Sequence, residues 1–369
     1  MSVTKLAGLF VQDAQWLGKV YAEPERLEAA TLIEMVAEPV TPAMVANEPS
    51  LLASVEVMLT GWGAPRLDRA LLDAAPRLRA VFYAGGSVAG TVTDPAFARG
   101  VRVSSAYAAN AIPVAEYCLA SILFSLKHGW RYVRAYNGPA AYPLRPEVPG
   151  AYGRTVGLVS LGMIGRALRE RLRTCDLDVI AYDPFVSKRD AELLGVRLVS
   201  LDELFSLADV VSVHTPMLEE TAGLIEGRHF EMMRPGSTFI NTSRGGVVRE
   251  AEMVDVLLRR PDLQAVLDVA DPEPPVAGSP LYSMANVVMT PHIAGAMGGE
   301  CRRLGRYMID ELRRYVSGAA LLWEVTPTLA ERSSHRLTDW RGGVPAAAAA
   351  AAAAPVHRCQ SGLEASAVG

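Results

Sequence analysis

The sequence predicts an α/β protein in which helices cover doubly wound, parallel β-sheets. Short apolar runs alternate with helix-like patterns over residues 1–110, and the same alternation resumes at residue 155 and continues to about residue 290. The length of 369 residues suits two domains of ordinary size. We therefore expect two α/β units in one chain.

The first unit contains a strand-helix-strand pattern. Residues 55–60 and 79–84 are predicted strands, and residues 67–75 between them are a predicted helix that ends before Pro76. Strands joined through a helix are expected to pair in parallel, because a short hairpin turn can join only antiparallel strands.

The middle of the chain predicts a long amphipathic helix over 112–135, with Pro113 in its first turn. Residues 136–153 are rich in proline and glycine and are expected to form an irregular arm. Seven further strands are predicted at 155–160, 178–182, 196–199, 209–214, 237–241, 264–268 and 286–290, and a helix at 297–317.

Composition limits the possible partners. Half of the residues are hydrophobic and the net charge is −4, which favours a folded protein that binds neither nucleic acid nor membranes. The amino-terminal segment has no long apolar stretch, and no run of 18 apolar residues occurs outside the alanine tract, so we expect a soluble, cytoplasmic protein. The four cysteines are far apart, so we expect free thiols, with no disulfide framework and no metal site. Residues 332–369 include nine consecutive alanines and are predicted to be a disordered, low-complexity tail.

A glycine-rich turn predicts a dinucleotide site. Ser160-Leu-Gly162-Met-Ile-Gly165 joins an apolar run to a helical pattern and matches G-x-G-x-x-G with serine in the first position. Asp183 follows the next apolar run, where an acid can bind both ribose hydroxyls and repel a 2′-phosphate. This favours NAD over NADP. A helix cap or turn residue is the alternative interpretation of Asp183.

Three motifs each place one charged or titratable side chain just after a predicted strand. They are Asn-Thr-Ser-Arg-Gly-Gly at 241–246, Asp-Val-Ala-Asp-Pro-Glu-Pro at 268–274 and Thr-Pro-His-Ile-Ala-Gly at 290–295. Arg244 could hold a carboxylate, His292 could donate a proton to a keto oxygen, and Glu273 could orient that histidine.

Each of the three side chains also has a structural interpretation. Arg244 could form a surface ion pair, Glu273 could be a solvated loop acid, and His292 could be a structural strand-end residue. Their joint position at strand ends of one sheet favours the catalytic interpretation, since ligands of open α/β sheets bind there. A fourth candidate, His214, is expected to shape the cofactor crevice and not to transfer protons.

The motifs, in this order, resemble the D-isomer-specific 2-hydroxyacid dehydrogenase family over roughly residues 50–330. The matching segments are 110–116, 155–166, 182–184, 214–221, 241–246, 268–274 and 290–295. The resemblance implies two Rossmann-like doubly wound domains with parallel sheets and a cleft between them, in a homodimer.

The resemblance also implies how the chain is divided. Residues 1–124 and 298–331 would form a discontinuous substrate domain, and residues 125–297 would form the NAD-binding Rossmann domain. The helices at 112–130 and 297–317 would be the crossings between the two domains.

The resemblance assigns roles to residues by position. Arg244, Glu273 and His292 would be the catalytic residues. Substrate would contact Gly85, Gly86, Ser87 and Asn110 as well as Arg244. The NAD cofactor would contact Gly162, Met163, Ile164, Gly165, Asp183, Pro216, Thr221, Thr242, Ser243, Asp268 and Gly295, with Asp268 near the nicotinamide amide.

Two positions depart from the family pattern. Ser160 replaces a glycine, and the substrate loop continues from Gly86 as Ser-Val-Ala-Gly where the family has Gly-x-Asp. The second departure makes the identity of the substrate an open question.

The implied activity is NAD(H)-dependent interconversion of a small D-2-hydroxy acid and its 2-keto acid, as in glyoxylate or hydroxypyruvate reductases or phosphoglycerate dehydrogenases. An NAD-sensing scaffold or corepressor with the same fold is the alternative. Formate dehydrogenase is disfavoured by Glu273, and the short tail after residue 331 disfavours a regulatory domain. The motifs do not exclude a phosphite dehydrogenase.

Overall fold

The computed structural model describes residues 5–135 and 148–334. Most of the predicted arm at 136–153 and all of the predicted tail beyond residue 334 lie outside the described residues. The last described helix, Pro327–Ser334, includes the first three residues of the predicted tail, 332–334.

The smaller sheet has five parallel strands: β1 (Ala7–Phe10), β2 (Glu34–Met35), β3 (Val57–Gly61), β4 (Ala80–Ala84) and β5 (Arg102–Ser105). They are arranged β2-β1-β3-β4-β5, so the strands predicted at 55–60 and 79–84 are neighbours in parallel, as expected. The helices between them are α1 (Ala14–Val20), α2 (Glu23–Leu32), α3 (Pro42–Asn47), α4 (Arg69–Ala74) and α5 (Asp94–Ala98).

Two helices, α6 (Tyr107–Ser125) and α7 (Gly129–Ala135), join the smaller sheet to the larger one. The prediction of one helix over 112–135 is wrong, because the chain breaks after Ser125 and His128 adopts a φ of 50° between the helices. Pro113 lies inside α6 and not in its first turn, since the helix begins at Tyr107.

The larger sheet has seven parallel strands: β6 (Arg154–Val159), β7 (Leu177–Tyr182), β8 (Arg197–Leu198), β9 (Val210–Val213), β10 (Thr238–Asn241), β11 (Gln264–Leu267) and β12 (Val287–Met289). Each lies within one of the predicted runs or starts one residue before it. The order β12-β11-β10-β9-β6-β7-β8 reverses between β6 and β9, which is where a doubly wound sheet opens a ligand crevice.

Helices cover both sheets. Those that follow strands of the larger sheet are α8 (Met163–Leu172), α9 (Lys188–Leu194), α10 (Leu201–Leu207), α11 (Gly227–Met232) and α12 (Glu250–Arg259). After β12 the chain returns through α13 (Cys301–Val316) and α14 (Pro327–Ser334). Leu304, Met308 and Leu312 of α13 pack with Phe82 of β4, so this helix belongs to the smaller sheet.

Helix α6 contacts both sheets. Ala109, near its beginning, packs with the core of the smaller sheet, whereas Val114, Cys118 and Ile122 pack with the core of the larger one. Among the described residues, α6 is the one helix long and apolar enough to cross a membrane by length and composition, and 56% of the window tested is buried inside the protein. Its apolar surface is thus used in packing between the two sheets.

The turn between β6 and α8 contains the serine that replaces the expected glycine. Ser160 has a φ of 77°, in the left-handed region where side chains are unfavourable. Its N–H donates to the Tyr182 carbonyl at 2.8 Å, and its Oγ lies 2.9 Å from Oγ1 of Thr215. Gly165 must remain glycine, since a Cβ there would lie 2.3 Å from the Ser160 carbonyl oxygen.

We predict that Ser160→Gly stabilises the protein. A residue with a side chain in a left-handed backbone conformation costs the folded state about 1–2 kcal/mol, and glycine removes this strain. The greater conformational entropy of glycine in the unfolded chain offsets about 0.5–1 kcal/mol of that gain. The net gain in the free energy of unfolding, measured in urea, is expected to be about 0.5–1 kcal/mol. Ser160→Ala is the matched control, because it keeps the strained φ and removes the hydroxyl. A glycine variant less stable than the alanine variant would contradict this account.

Candidate active site

The amino end of α8 is open. Gly162 is its N-cap residue and provides no side-chain cap, and apart from Gly162 itself, its chain neighbours and the adjoining helix backbone, no described atom lies within 4 Å of the position that a Cβ on Gly162 would take. The first N–H groups of a helix, here those that begin at Met163 and Ile164, have no partner within the helix and attract anions. The predicted pyrophosphate site therefore has both the space and the donors that it needs.

Asp183 lies beside this turn, just after β7. Its Oδ2 accepts the N–H of Leu161 at 2.8 Å, and its Oδ1 accepts the N–H of Phe185 at 2.9 Å. The carboxylate is thus fixed by backbone donors, as the alternative interpretation of a turn residue requires. Each oxygen keeps a further lone pair, so the predicted contact with ribose hydroxyls is compatible with this geometry.

The loop after β9 forms the other side of the crevice. Thr221 is buried, and its hydroxyl donates to the Pro216 carbonyl at 2.6 Å while accepting the Leu218 N–H at 2.8 Å. Thr221 therefore fixes the path of the loop that contains Pro216. Both predicted cofactor residues thus lie beyond the carboxyl end of β9, which pairs with β6 up to Val213.

His214, in the same loop, is buried, and burial lowers the pKa of its imidazole to about 3. Its Nε2 lies 3.1 Å from Oγ of Ser212, and its Nδ1 has no hydrogen-bond partner among the described residues. A neutral imidazole of this kind does not exchange protons near neutral pH. The structure therefore disfavours proton transfer by His214, and its role in shaping the cofactor crevice stays a prediction.

Asn241, at the end of β10, organises the first of the three motifs. Its Nδ2 donates to the Arg244 carbonyl at 3.0 Å, and its Oδ1 accepts both the N–H and the hydroxyl of Ser243, at 3.0 and 2.8 Å. Sequence reasoning missed this role. The available signal was an asparagine at a strand end, where its side chain can bond the backbone of the following turn.

The Arg244 guanidinium lies at the surface of this turn. Its Nη1 donates to the Ser243 carbonyl at 2.6 Å, and none of the ion pairs among the described residues includes it. Gly245 lets the turn approach the next motif, since a Cβ there would lie 2.0 Å from the carbonyl carbon of Ala270. Arg244 is therefore held near residues 268–274 with most of its donors available.

His292 and Glu273 form a close pair. His292 Nδ1 lies 2.6 Å from Glu273 Oε1, and because a carboxylate can only accept, this ring nitrogen carries the proton. Nε2 is left as the atom that could exchange a proton with a ligand. The His292 and Glu273 side chains are 47% and 42% exposed, because both belong to loops beyond the strand ends, so the pair is open to solvent.

Asp268 holds the loop that contains His292. This carboxylate is 1% exposed and accepts the Thr290 hydroxyl at 2.6 Å and the N–H groups of Ile293 and Ala294 at 2.8 and 2.9 Å. The N–H of His292 donates to the Asp268 carbonyl at 3.0 Å. These bonds fix His292 in its left-handed conformation, with a φ of 52°. The predicted contact of Asp268 with nicotinamide remains a prediction.

Two residues of α6 contact the strand ends of the larger sheet. The hydroxyl of Tyr117 lies 2.8 Å from Oγ1 of Thr290, and Sγ of Cys118 lies 3.2 Å from Oγ1 of Thr242. Burial raises the pKa of Cys118 to about 11, so its thiol is a packing group and not a nucleophile. Sequence reasoning missed Tyr117, which supports Thr290 and through it Asp268.

The predicted substrate residues lie on the side of the smaller sheet. Ser105 Oγ lies 2.8 and 2.7 Å from the carbonyl oxygens of Gly85 and Gly86 and fixes the loop after β4. Asn110 Oδ1 accepts the Ala296 N–H at 3.0 Å, and a Cβ on Gly86 would lie 3.3 Å from Asn110 Nδ2. Asn110 therefore joins the loop after β4 to the segment that follows His292.

Two other predicted residues lie close to this junction. A Cβ on Gly295 would lie 3.3 Å from Asn110 Oδ1, so Gly295 also faces the beginning of α6. Ser87, one residue beyond Gly86, is exposed, and its Oγ accepts the Ala89 N–H at 3.4 Å. Asn110 thus brings together the beginning of α6, the loop after β4 and the segment after His292. Arg244, the His292–Glu273 pair and the open amino end of α8 follow strands of the larger sheet at its carboxyl edge. This set can bind an anionic carbonyl compound and protonate its oxygen.

Comparison with known proteins gives the family. Residues 121–294 match the model for "D-isomer specific 2-hydroxyacid dehydrogenase, NAD binding domain". A (S)-sulfolactate dehydrogenase from Chromohalobacter salexigens is 37% identical over 252 residues, covering 68% of this chain and 81% of that protein. A D-3-phosphoglycerate dehydrogenase from Mycobacterium bovis is 35% identical over 266 residues, covering 69% of this chain and 48% of that protein. The chain thus spans about half the length of the phosphoglycerate dehydrogenase that it matches.

Solved structures show the same fold. The apo form of D-mandelate dehydrogenase from Rhodotorula graminis superposes with a TM-score of 0.74 at 22% identity, covering 87% of this chain and 98% of that one. A protein from Thermus thermophilus gives a TM-score of 0.68 at 26% identity, covering 87% and 100%. The two parallel sheets, the motifs at the strand ends and the match to the sulfolactate dehydrogenase agree with one another. The chain therefore belongs to the D-isomer-specific 2-hydroxyacid dehydrogenase family and contains its NAD-binding domain.

Proposed function

We propose that this protein interconverts a small D-2-hydroxy acid and its 2-keto acid by hydride transfer with NAD(H). The observation that carries the proposal is the 2.6 Å pair of His292 and Glu273, which lies at the same sheet edge as Arg244 and the open end of α8. A proton donor, a carboxylate-binding cation and a dinucleotide site are the three parts that this reaction requires.

The residues at the crevice fit NAD. The uncapped amino end of α8 would hold the pyrophosphate, and Asp183 would accept the adenosine ribose hydroxyls. Nδ1 of buried His214, which has no hydrogen-bond partner among the described residues, would be a further polar contact for the cofactor. The proposed cofactor contacts would also include the glycine-rich turn and several residues at the other strand ends. They are Gly162, Met163, Ile164 and Gly165 in the turn, and Pro216, Thr221, Thr242, Ser243, Asp268 and Gly295 at the other strand ends. When bound, NADH supplies the hydride to the keto carbon.

Side chains and backbone groups of this protein would bind the substrate and transfer the proton. Arg244 would bind the substrate carboxylate and polarise the keto oxygen, and backbone groups of Gly85, Gly86 and Ser87 would hold the carboxylate from the opposite side. His292 would give the proton on Nε2 to the developing alkoxide. Glu273, bonded to Nδ1, would orient the ring and stabilise its protonated form. In the oxidative direction His292 would take the proton back.

Three finer features are part of this proposal. The substrate domain would comprise residues 1–124 and 298–331, the NAD-binding domain residues 125–297, and α6 would span the boundary, as its contacts with both cores support. The protein would act as a homodimer in the cytoplasm. The intact pair of His292 and Glu273 favours an enzyme over an NAD-sensing scaffold, because a scaffold has no need of a proton donor beside the cofactor.

Removal of the proton donor tests the role of His292. His292→Ala is expected to lower kcat at least about 100-fold, since a positioned general acid contributes roughly 10²–10⁴-fold. The dissociation constant of NADH, from fluorescence titration, is expected to change little, because the histidine does not hold the dinucleotide. His128→Asn, at the opposite edge of the sheet, is the control. Full turnover of glyoxylate or another 2-keto acid by His292→Ala would overturn the assignment.

Removal of the guanidinium tests the role of Arg244. Arg244→Ala is expected to lower kcat/KM for 2-keto acids about 10- to 150-fold, because a hydrogen bond to a charged group contributes about 1.5–3 kcal/mol. Arg234→Ala, an exposed arginine before β10, is the matched control and should retain the wild-type value. Equal kcat/KM for wild type and Arg244→Ala would show that this arginine does not bind substrate.

Removal of one negative charge tests the preference for NAD. Asp183→Asn keeps the size of the side chain but no longer repels a 2′-phosphate, so the ratio of kcat/KM for NADH over NADPH should fall at least about tenfold. Asp178→Asn, an exposed acid on β7, is the control. If Asp183→Asn leaves this ratio unchanged while the control changes it, the preference for NADH over NADPH is set by residues other than Asp183.

A further inference from the structure

One peptide group lies between two of the motifs at the strand ends. It joins Ala270 to Asp271, in the loop after β11 that contains Glu273. A Cβ on Gly245 would lie 2.0 Å from the carbonyl carbon of this peptide and 2.5 Å from its nitrogen. Gly245 directly follows Arg244, so the turn of Arg244 and the loop of Glu273 are in contact at this peptide.

A carboxylate from α12 holds the same peptide. Glu250 is the first residue of α12, and its Oε2 accepts the Asp271 N–H at 3.0 Å. No ion pair among the described residues includes Glu250, and burial raises the pKa of its carboxyl group. Burial of a carboxylate without a cation is unfavourable, so the hydrogen bond to the loop is the favourable contact that this position provides.

The loop has few other means of fixing its backbone. Three of the five residues 271–275 are prolines, which have no N–H to donate. Of the two N–H groups that remain, that of Asp271 is bonded to Glu250. At the far end of this segment, the hydroxyl of Tyr282 donates to the carbonyl of residue 275 at 3.0 Å. The backbone on either side of Glu273 is therefore held by side chains from other parts of the chain.

We propose that Glu250 is a positioning residue for the pair of Glu273 and His292. This inference rests on the proposed function, since His292 is the proposed proton donor. Glu273 follows the bonded peptide by two residues, and its Oε1 lies 2.6 Å from His292 Nδ1. The bond from Glu250 to Asp271 thus fixes the loop whose carboxylate orients the imidazole, although Glu250 has no hydrogen bond to either member of the pair.

Three substitutions at Glu250 separate the hydrogen bond from the charge. In Glu250→Ala the acceptor is lost, and kcat with NADH and a 2-keto acid should fall about tenfold or more, since small displacements of catalytic groups are costly. Glu250→Gln keeps an acceptor oxygen at the same reach and should stay within about threefold of wild type. Glu250→Asp keeps the charge but is one methylene shorter, so its kcat should fall as in Glu250→Ala.

A second glutamate of α12 provides the matched control. Glu252 also accepts a backbone N–H, that of Gly227 at 2.7 Å, away from the three strand-end motifs. Glu252→Ala should lower the free energy of unfolding in urea and leave kcat within about twofold of wild type. The dissociation constant of NADH, from fluorescence titration, should stay within about twofold in every variant, because neither glutamate holds the dinucleotide.

A double-mutant cycle tests whether Glu250 acts through Glu273. Glu273→Ala removes the carboxylate that Glu250 is proposed to position. In that background Glu250→Ala should lower kcat less than about twofold, whereas a merely structural role would give the same loss in both backgrounds. If Glu250→Ala does not fold, the comparison of Glu250→Asp with Glu250→Gln decides.

Four results would overturn the inference. They are wild-type kcat in folded Glu250→Ala, loss of kcat in Glu250→Gln but not in Glu250→Asp, an equal loss in Glu252→Ala, and an undiminished effect of Glu250→Ala in the Glu273→Ala background. Each of these leaves the proposed function in place, because wild type still reduces a 2-keto acid. No turnover of any 2-keto acid by wild type would instead overturn the proposed function, and this inference with it.

Discussion

The buried carboxylate of Asp268 is the interaction on which the rest of the site depends. It lies at the end of β11 and accepts three hydrogen bonds from the loop after β12. Hydrogen bonds to a charged group contribute about 1.5–3 kcal/mol each, enough to hold His292 in a backbone conformation that costs about 1–3 kcal/mol. Without these hydrogen bonds the loop would not be held in the conformation that places the imidazole against Glu273.

The second constraint is α6, which both sheets share. Its beginning holds Asn110 between the loop after β4 and the segment after His292, and its middle places Tyr117 against Thr290. One rigid element therefore contacts the substrate side and the cofactor side of the site. Any movement of one sheet against the other has to be accommodated around this helix, so the geometry of the active site and the packing between the domains are coupled.

Much of the fold could be predicted because buried parallel strands are short, continuous apolar runs. Each of the seven strands of the larger sheet lies where such a run occurs. The position of Arg244 and His292 at one sheet edge could be predicted because each lies shortly after such a strand, and parallel strands bring their carboxyl ends together. Glu273 lies further along the loop after β11. The break after Ser125 could not be predicted, since apolar periodicity continues through it and the chain direction changes by backbone conformation alone.

The supporting residues were equally hard to predict. Asn241 and Tyr117 act through bonds to backbone or to residues distant in the chain, and such bonds leave no local pattern. Asp268 was predicted for a cofactor contact, whereas its bonds in the structure are to its own loop. The exposure of Glu273 depends on how far its loop projects from the sheet edge. Sequence thus predicted which side chains lie at the strand ends better than it predicted the residues that hold their loops in place.

The most direct test of the account is to weaken the Asp268 anchor. Asp268→Asn replaces an acceptor oxygen with an N–H donor that faces backbone N–H groups, so His292 should lose its position. We predict a fall in kcat of about 100-fold, as expected for misplacement of a catalytic group by about 1 Å. The dissociation constant of NADH, measured alongside, separates this from loss of the cofactor. Asp209→Asn removes a comparable backbone acceptor, that of Thr155, at the opposite edge, and should lower stability while kcat is retained. Wild-type kcat in folded Asp268→Asn would contradict the claim that this carboxylate assembles the site.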